Sequence, residues 1–191
     1  MGELAAHAAT HLMADGKSTQ DLTQSEREQI KMKMFNDKIK FYWDDFYESF
    51  RLGGRDLYKS HTGVIVGYGT REISSWISDE IHGKTSVDIW LDNINKVQSD
   101  DSCDGDFGIG NAHWVFLTNN HAMIFCEYVE EWKVLLSFDQ LEFILEQYKI
   151  SLSFNKNEEP DPIDIEYIAE GDEAVRIYSS LDGAHTYPFE E

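Results

Sequence analysis

His7 and His11 stand four residues apart in LAAHAATHLM, the spacing that brings two imidazoles to one face of a helix as zinc ligands. The glutamate of an HExxH arrangement is missing, since Ala8 occupies its place, and no third ligand is evident, so the pair reads as helix-surface histidines. In DDSCDGDFGIGN, the residues Asp100, Ser102, Asp104 and Gly105 fall at positions 1, 3, 5 and 6 of a calcium-loop register. Position 12, which needs a bidentate glutamate, is Asn111, and position 8 is Phe107, so a solvated acidic loop is expected. Gly105, Gly108 and Gly110 make no phosphate cradle, because their acidic surroundings repel phosphate and no GK[ST] follows. Nucleophilic catalysis finds little footing: there is no GxSxG elbow, neither Cys103 nor Cys126 sits in a catalytic cysteine signature, and the seven histidines are scattered. A pair of carboxylates can always be chosen from 36 acidic residues, so their presence alone argues for no acid–base chemistry. The expectation is no metal, no cofactor and no enzymatic activity.

The elements that would position any site follow from periodicity and punctuation. Leu4 to Met13 is helix-compatible and stops at Asp15-Gly16, and Thr23-Gln-Ser-Glu26 fits a capping box opening a second helix. Ile39, Trp43, Phe46 and Phe50 recur at spacings of four, three and four, which predicts a helix over Asn36 to Leu52 ended by Gly53-Gly54. GVIVGYG, Gly63 to Gly69, and SVDIWL, Ser86 to Leu91, read as strands, with a helix over Arg71 to Ile81 between them. His113 to Tyr128 reads as two β-rich runs joined by a tight turn at Asn119-Asn120, since asparagine tolerates positive φ. Ser137-Phe-Asp-Gln140 is a second capping box, opening a helix whose Leu141, Ile144, Leu145 and Tyr148 share one face. Pro162 to Ile168 and Ala174 to Ser180 are expected to pair as an edge hairpin across Gly171, and the last residues, HTYPFEE, to fray. Together these predict an α+β fold with an antiparallel or mixed sheet, flanking helices and a helical N-terminal appendage.

Composition sets the class of partner. At 191 residues with 41% hydrophobic and 13% aromatic content, the chain has material for a sizeable core, which suggests one domain plus an appendage. With 36 acidic against 16 basic residues the formal net charge is −20, which opposes binding to nucleic acid or to an anionic membrane surface. A basic protein partner would instead be steered in, with association faster by roughly 10 to 1,000-fold at low salt. Two cysteines make no disulfide framework, no apolar run is long enough for a bilayer, and the N-terminus lacks a signal-peptide pattern, so a cytoplasmic protein is expected. From Asn155 onward the composition turns acidic again, with eleven acidic residues against two basic ones and all three prolines.

The opening GELAAHAATHLMADGKSTQDLTQSEREQ resembles the region just upstream of the toxin module in contact-dependent growth inhibition effectors and related filamentous haemagglutinin-type proteins. Glu3, Ala6-His7, Gly16, Leu22-Thr23 and Glu26-Arg27 carry the likeness, which covers about 30 residues and then breaks off without the VENN motif of that family. In that family a toxin domain follows, and the immunity proteins encoded beside such effectors are small, cytoplasmic and often acidic. Here residues 34–191 hold 31 of the acidic and 12 of the basic residues. The resemblance therefore implies a division into an effector-like helical remnant, 1–33, and an acidic immunity domain, 34–191, that neutralises a cognate toxin domain, basic and nuclease-like, by stoichiometric binding. Asp100, Asp101, Asp104 and Asp106 are the first candidates for toxin binding, because a loop dense in carboxylates can pair with basic active-site residues. Asp79 and Glu80, and Glu130 and Glu131 after the hairpin, are further candidates. Two alternatives stand beside this one: a truncated effector whose acidic half is itself the toxin, and a small acidic enzyme. The enzyme reading requires a pocket in which carboxylates converge with strongly shifted pKa values.

Overall fold

The structure, a computed structural model, describes residues 35–53, 66–99, 105–110, 112–118, 120–181 and 184. The helices predicted within 1–33, the proposed join between remnant and domain, and the frayed HTYPFEE lie outside the described residues. The fold is α+β. Its centre is a five-stranded antiparallel sheet in the order β4-β5-β6-β7-β9, made of β4 (Gly105–Ile109), β5 (His113–Thr118), β6 (His121–Cys126), β7 (Lys133–Ser137) and β9 (Ala169–Glu170).

The β5–β6 hairpin forms as its sequence predicts, with Thr118 opposite His121 and Asn120 at φ 60°, a left-handed conformation that asparagine accepts. Alternation then sends Val115, Leu117, Ala122 and Ile124 to one face of the sheet and Phe116, Met123 and Phe125 to the other. Both faces are covered, which is why these strands are apolar almost throughout. The first face meets α1 (Tyr68–Glu80) and α3 (Phe138–Ser151), with α2 (Lys84–Ser99) packed beyond; the second meets α4 (Gly171–Tyr178) through Ala174 and Tyr178.

α3 opens with a full capping box: Ser137 Oγ accepts from the Gln140 amide at 3.2 Å and Gln140 Oε1 accepts from the Ser137 amide at 2.9 Å. The predicted apolar face of Leu141, Ile144, Leu145 and Tyr148 is fully buried. Replacing Ser137 by alanine is expected to cost about 1 kcal/mol, read as a lower urea midpoint with an unchanged m-value.

Four predicted elements are corrected. Asn36 to Leu52 is not a helix but three strands, β1 (Phe35–Ile39), β2 (Phe41–Asp44) and β3 (Ser49–Leu52). Ile39, Phe41, Phe50 and Leu52 are buried while Phe46, placed by helical spacing on the inner face, is 83% exposed in the β2–β3 turn. That turn is set by Asp44, whose Oδ1 accepts from the amides of Phe46 and Tyr47 at 2.8 and 3.2 Å. SVDIWL lies within α2, not a strand: Val87, Ile94 and Val97 share the buried face and Ile89 faces solvent. Tyr68 and Gly69, read as the end of a strand, open α1, and Gly63 lies outside the described residues. The C-terminal hairpin does not form. β8 (Ile163–Tyr167) pairs with β1 instead, and the segment from Gly171 to Tyr178 is α4, which buries Ala174 and Tyr178.

α1 is held at its N-terminus by carboxylates from distant segments. Asp37 of β1 accepts from the Gly67 amide at 3.2 Å and from Thr70 Oγ1 at 2.7 Å, and Glu170 of β9 accepts from the Gly69 amide at 2.7 Å. Gly69 is required there by close approach, because a Cβ would fall 2.6 Å from the Tyr167 ring. Among the described residues no helix is long and apolar enough to cross a membrane.

Candidate functional site

With α1 fixed across the sheet, Glu72, Ser75 and Asp79, at spacings of three and four, fall on the face turned to His113 at the start of β5. His113 Nδ1 lies 2.8 Å from Glu72 Oε1, and its Nε2 lies 3.4 Å from both Asp79 Oδ2 and Ser75 Oγ. Ser75 Oγ donates to Asp79 Oδ2 at 3.1 Å, closing the group. Glu72 and His113 are 0% and 1% exposed, whereas the Asp79 side chain is 53% exposed and carries the cluster to the surface.

Cys126 belongs to the same group. The β5–β6 register sets it directly opposite His113. Glu72 Oε2 has no hydrogen-bond partner although it is buried.

The electrostatics follow from burial opposed by pairing. Burial raises the Glu72 carboxyl to about 7, against the lowering effect of His113. Burial pulls His113 down, but hydrogen bonds to Asp79 and Glu72 outweigh it and hold the imidazole up, at about 9. The bond from His113 lowers Asp79, and burial pushes the Cys126 thiol up. The arrangement is a buried imidazole held between the carboxyl groups of Glu72, buried, and Asp79, half-exposed.

Asp79 also borders a cleft of about 370 Å³ lined by Tyr42, Asp44, Tyr47, Arg51, Ser78, His82 and Ala112. Its floor is Arg51, 1% exposed, whose guanidinium lies 4.6 Å from the Tyr47 ring centroid and 3.4 Å from the Ile81 carbonyl, Tyr148 Oη and His82 Nδ1. Tyr148 Oη donates to the Ile81 carbonyl at 3.1 Å, and burial pushes that phenol up to about 12. His82 stacks on Tyr47 at 5.2 Å, and Phe46 meets Tyr47 edge-on at 4.9 Å.

Of the eight carboxylates singled out from the sequence, Asp79 joins this site. Glu80 is half-buried at the end of α1, its carboxyl carbon 2.0 Å from where a Cβ on Gly110 would stand. Glu130 and Glu131 are exposed in the β6–β7 turn. Asp106 is not in a loop: it lies in β4, opposite Phe116, beside an irregularity in register. The same strand takes Gly105 out of the expected acidic loop, and Asp100, Asp101 and Asp104 lie outside the described residues.

Sequence reasoning missed Glu72, His113 and Cys126. Two of them were within reach, because counting outward from the Asn119-Asn120 turn sets His113 opposite Cys126. Comparison of the chain with family models, curated proteins and solved structures gives no match.

Proposed function

We propose that this protein is an immunity protein of the contact-dependent growth inhibition type, which binds a basic toxin domain in the cytoplasm and blocks it by stoichiometric complex formation. The observation that carries the reading is a strongly acidic chain, net charge −20, with a solvent-exposed aromatic side chain, Phe46, held in a hydrogen-bonded turn at the edge of a cleft bearing Asp44 and Asp79. Aromatic anchors flanked by carboxylates are the composition that gives binding hot spots against a cationic partner. In this reading the acidic surface speeds encounter, and Phe46 with Tyr47 and the two aspartates hold the complex.

Co-expression with the toxin domain encoded beside this protein tests it. Growth rescue and a one-to-one complex are expected, with an on-rate that falls as salt rises. Phe46→Ala should weaken the complex by about 30-fold or more, corresponding to about 2 kcal/mol, while leaving the unfolding midpoint in place because the ring is exposed. Failure both to rescue growth and to form the complex would sink the proposal.

One observation favours an acid–base enzyme as a second reading: Glu72 and Asp79 converge on His113 with opposed shifts. It predicts that growth protection, where seen, requires turnover, and so is lost in Asp79→Asn while the complex with the toxin still forms.

A further inference from the structure

We propose that Glu72, His113 and Cys126 form a zinc site, with the carboxylate, the imidazole Nδ1 and the thiolate as three ligands and water as the fourth. Their ligand atoms all lie within 4.8 Å of one another and all three residues are buried. Zinc bonds of about 2.0–2.3 Å hold tetrahedral ligands about 3.2–3.7 Å apart. Small side-chain rotations therefore bring the set to coordination distance, with the β5–β6 ladder and α1 unchanged.

Two independent features point to a cation rather than to a hydrogen-bonded cluster complete in itself. Glu72 is fully buried and its Oε2 has no partner, an arrangement that is costly unless something else occupies that oxygen. His113 turns its other nitrogen, Nε2, toward Asp79 and Ser75, the carboxylate–histidine–metal relation that fixes the tautomer and strengthens the ligating nitrogen.

The donor set selects the ion. One sulfur, one imidazole nitrogen and one carboxylate oxygen suit zinc, whereas magnesium and calcium take oxygen alone. Loading exchanges the Nδ1 proton and the thiol proton for the metal and releases them to solvent. The site shares Asp79 with the cleft, but it does not depend on the identity of any protein partner.

The test uses the full chain, stripped with a chelator, dialysed, and titrated with cobalt(II) and then zinc. One equivalent of cobalt should bind with the visible absorption of a four-coordinate ion and a near-ultraviolet thiolate-to-cobalt charge-transfer band, and one equivalent of zinc should bleach both. Cys126→Ser should abolish the charge-transfer band. Asp79→Asn, which acts through His113, should keep the band and weaken zinc binding by about 10–100-fold. Circular dichroism of each stripped protein reports whether it is folded. The proposal is overturned if the folded, stripped wild type takes up less than one equivalent, if cobalt binds without the thiolate band, or if the band persists in Cys126→Ser.

Discussion

Alanine in place of Trp76 should lower folding stability by about 3–5 kcal/mol, the range for deleting a large buried aromatic side chain. Trp76 is 1% exposed, lies between Ile73 and Ile77 on the inner face of α1, and meets Trp90 of α2 edge-on at 5.1 Å. The cost reaches that range only where the surroundings cannot collapse into the space, and here they are held. α1 is tied at its N-terminus by Asp37 and Glu170, and near its C-terminus by Ser78 Oγ donating to the Leu52 carbonyl at 3.0 Å. Urea unfolding followed by circular dichroism measures the loss, and the thermal midpoint should fall by about 6–20 °C for a chain of this size. Ile89→Ala on α2 is the matched control: Ile89 is 55% exposed, and its loss should stay within about 0.5 kcal/mol. A change under about 1 kcal/mol at Trp76 would mean that α1 does not pack as described.

The second large effect concerns the buried charges. In excess chelator, Glu72→Ala should cost about 3 kcal/mol, because it leaves the His113 imidazolium without its buried partner. Asp79, still within 3.4 Å of Nε2, keeps the loss at the lower end of the range for a broken buried pair. Replacing both residues together, Glu72→Leu with His113→Leu, should return stability to within about 1 kcal/mol of the wild type, since two apolar groups carry no desolvation cost. The contrast between the single and double variants is the informative quantity. A double variant as unstable as the single would show that the pair is held for its net stabilisation. The expected result instead leaves the pair costly to break and cheap to replace, as a functional cluster would be.

What the sequence made legible was local. Asn119-Asn120 and Ser137 with Gln140 act through neighbours a few residues away, and both the hairpin and the capping box form. The stripe of Ile39, Trp43, Phe46 and Phe50 failed because helical spacing and two short strands around a turn both bring apolar residues round every three or four positions. The decisive residue was Asp44, whose side chain caps the turn, and an aspartate in DDF carries that role only once the strands are paired. SVDIWL failed in the opposite sense: a strict alternation over six residues hid Val87, Ile94 and Val97, which span the helix. The site divides the same way. His113 and Cys126 are linked by a hairpin register that can be counted, and Glu72, Ser75 and Asp79 by helical spacing. That these two lines meet depends on where α1 crosses the sheet, a matter of packing that no local pattern encodes. Acidic residues misled because 36 of them dilute the signal, and the informative one is the carboxylate that lies buried.

The anchoring of α1 also ties the cluster to segments far along the chain. β1 is paired with β8 across about 130 residues, and the helix N-terminus waits on Glu170, about 100 residues downstream of Gly69. Loop-closure entropy must be met before contacts so distant reward it. A chain that ends at β7 holds Glu72, His113 and Cys126 but lacks β8 and the Glu170 that holds α1. The site's own residues all precede β8, but the helix that carries Glu72 and Asp79 takes one of its N-terminal holds from Glu170, so truncation before β8 should loosen the cluster without removing a member of it.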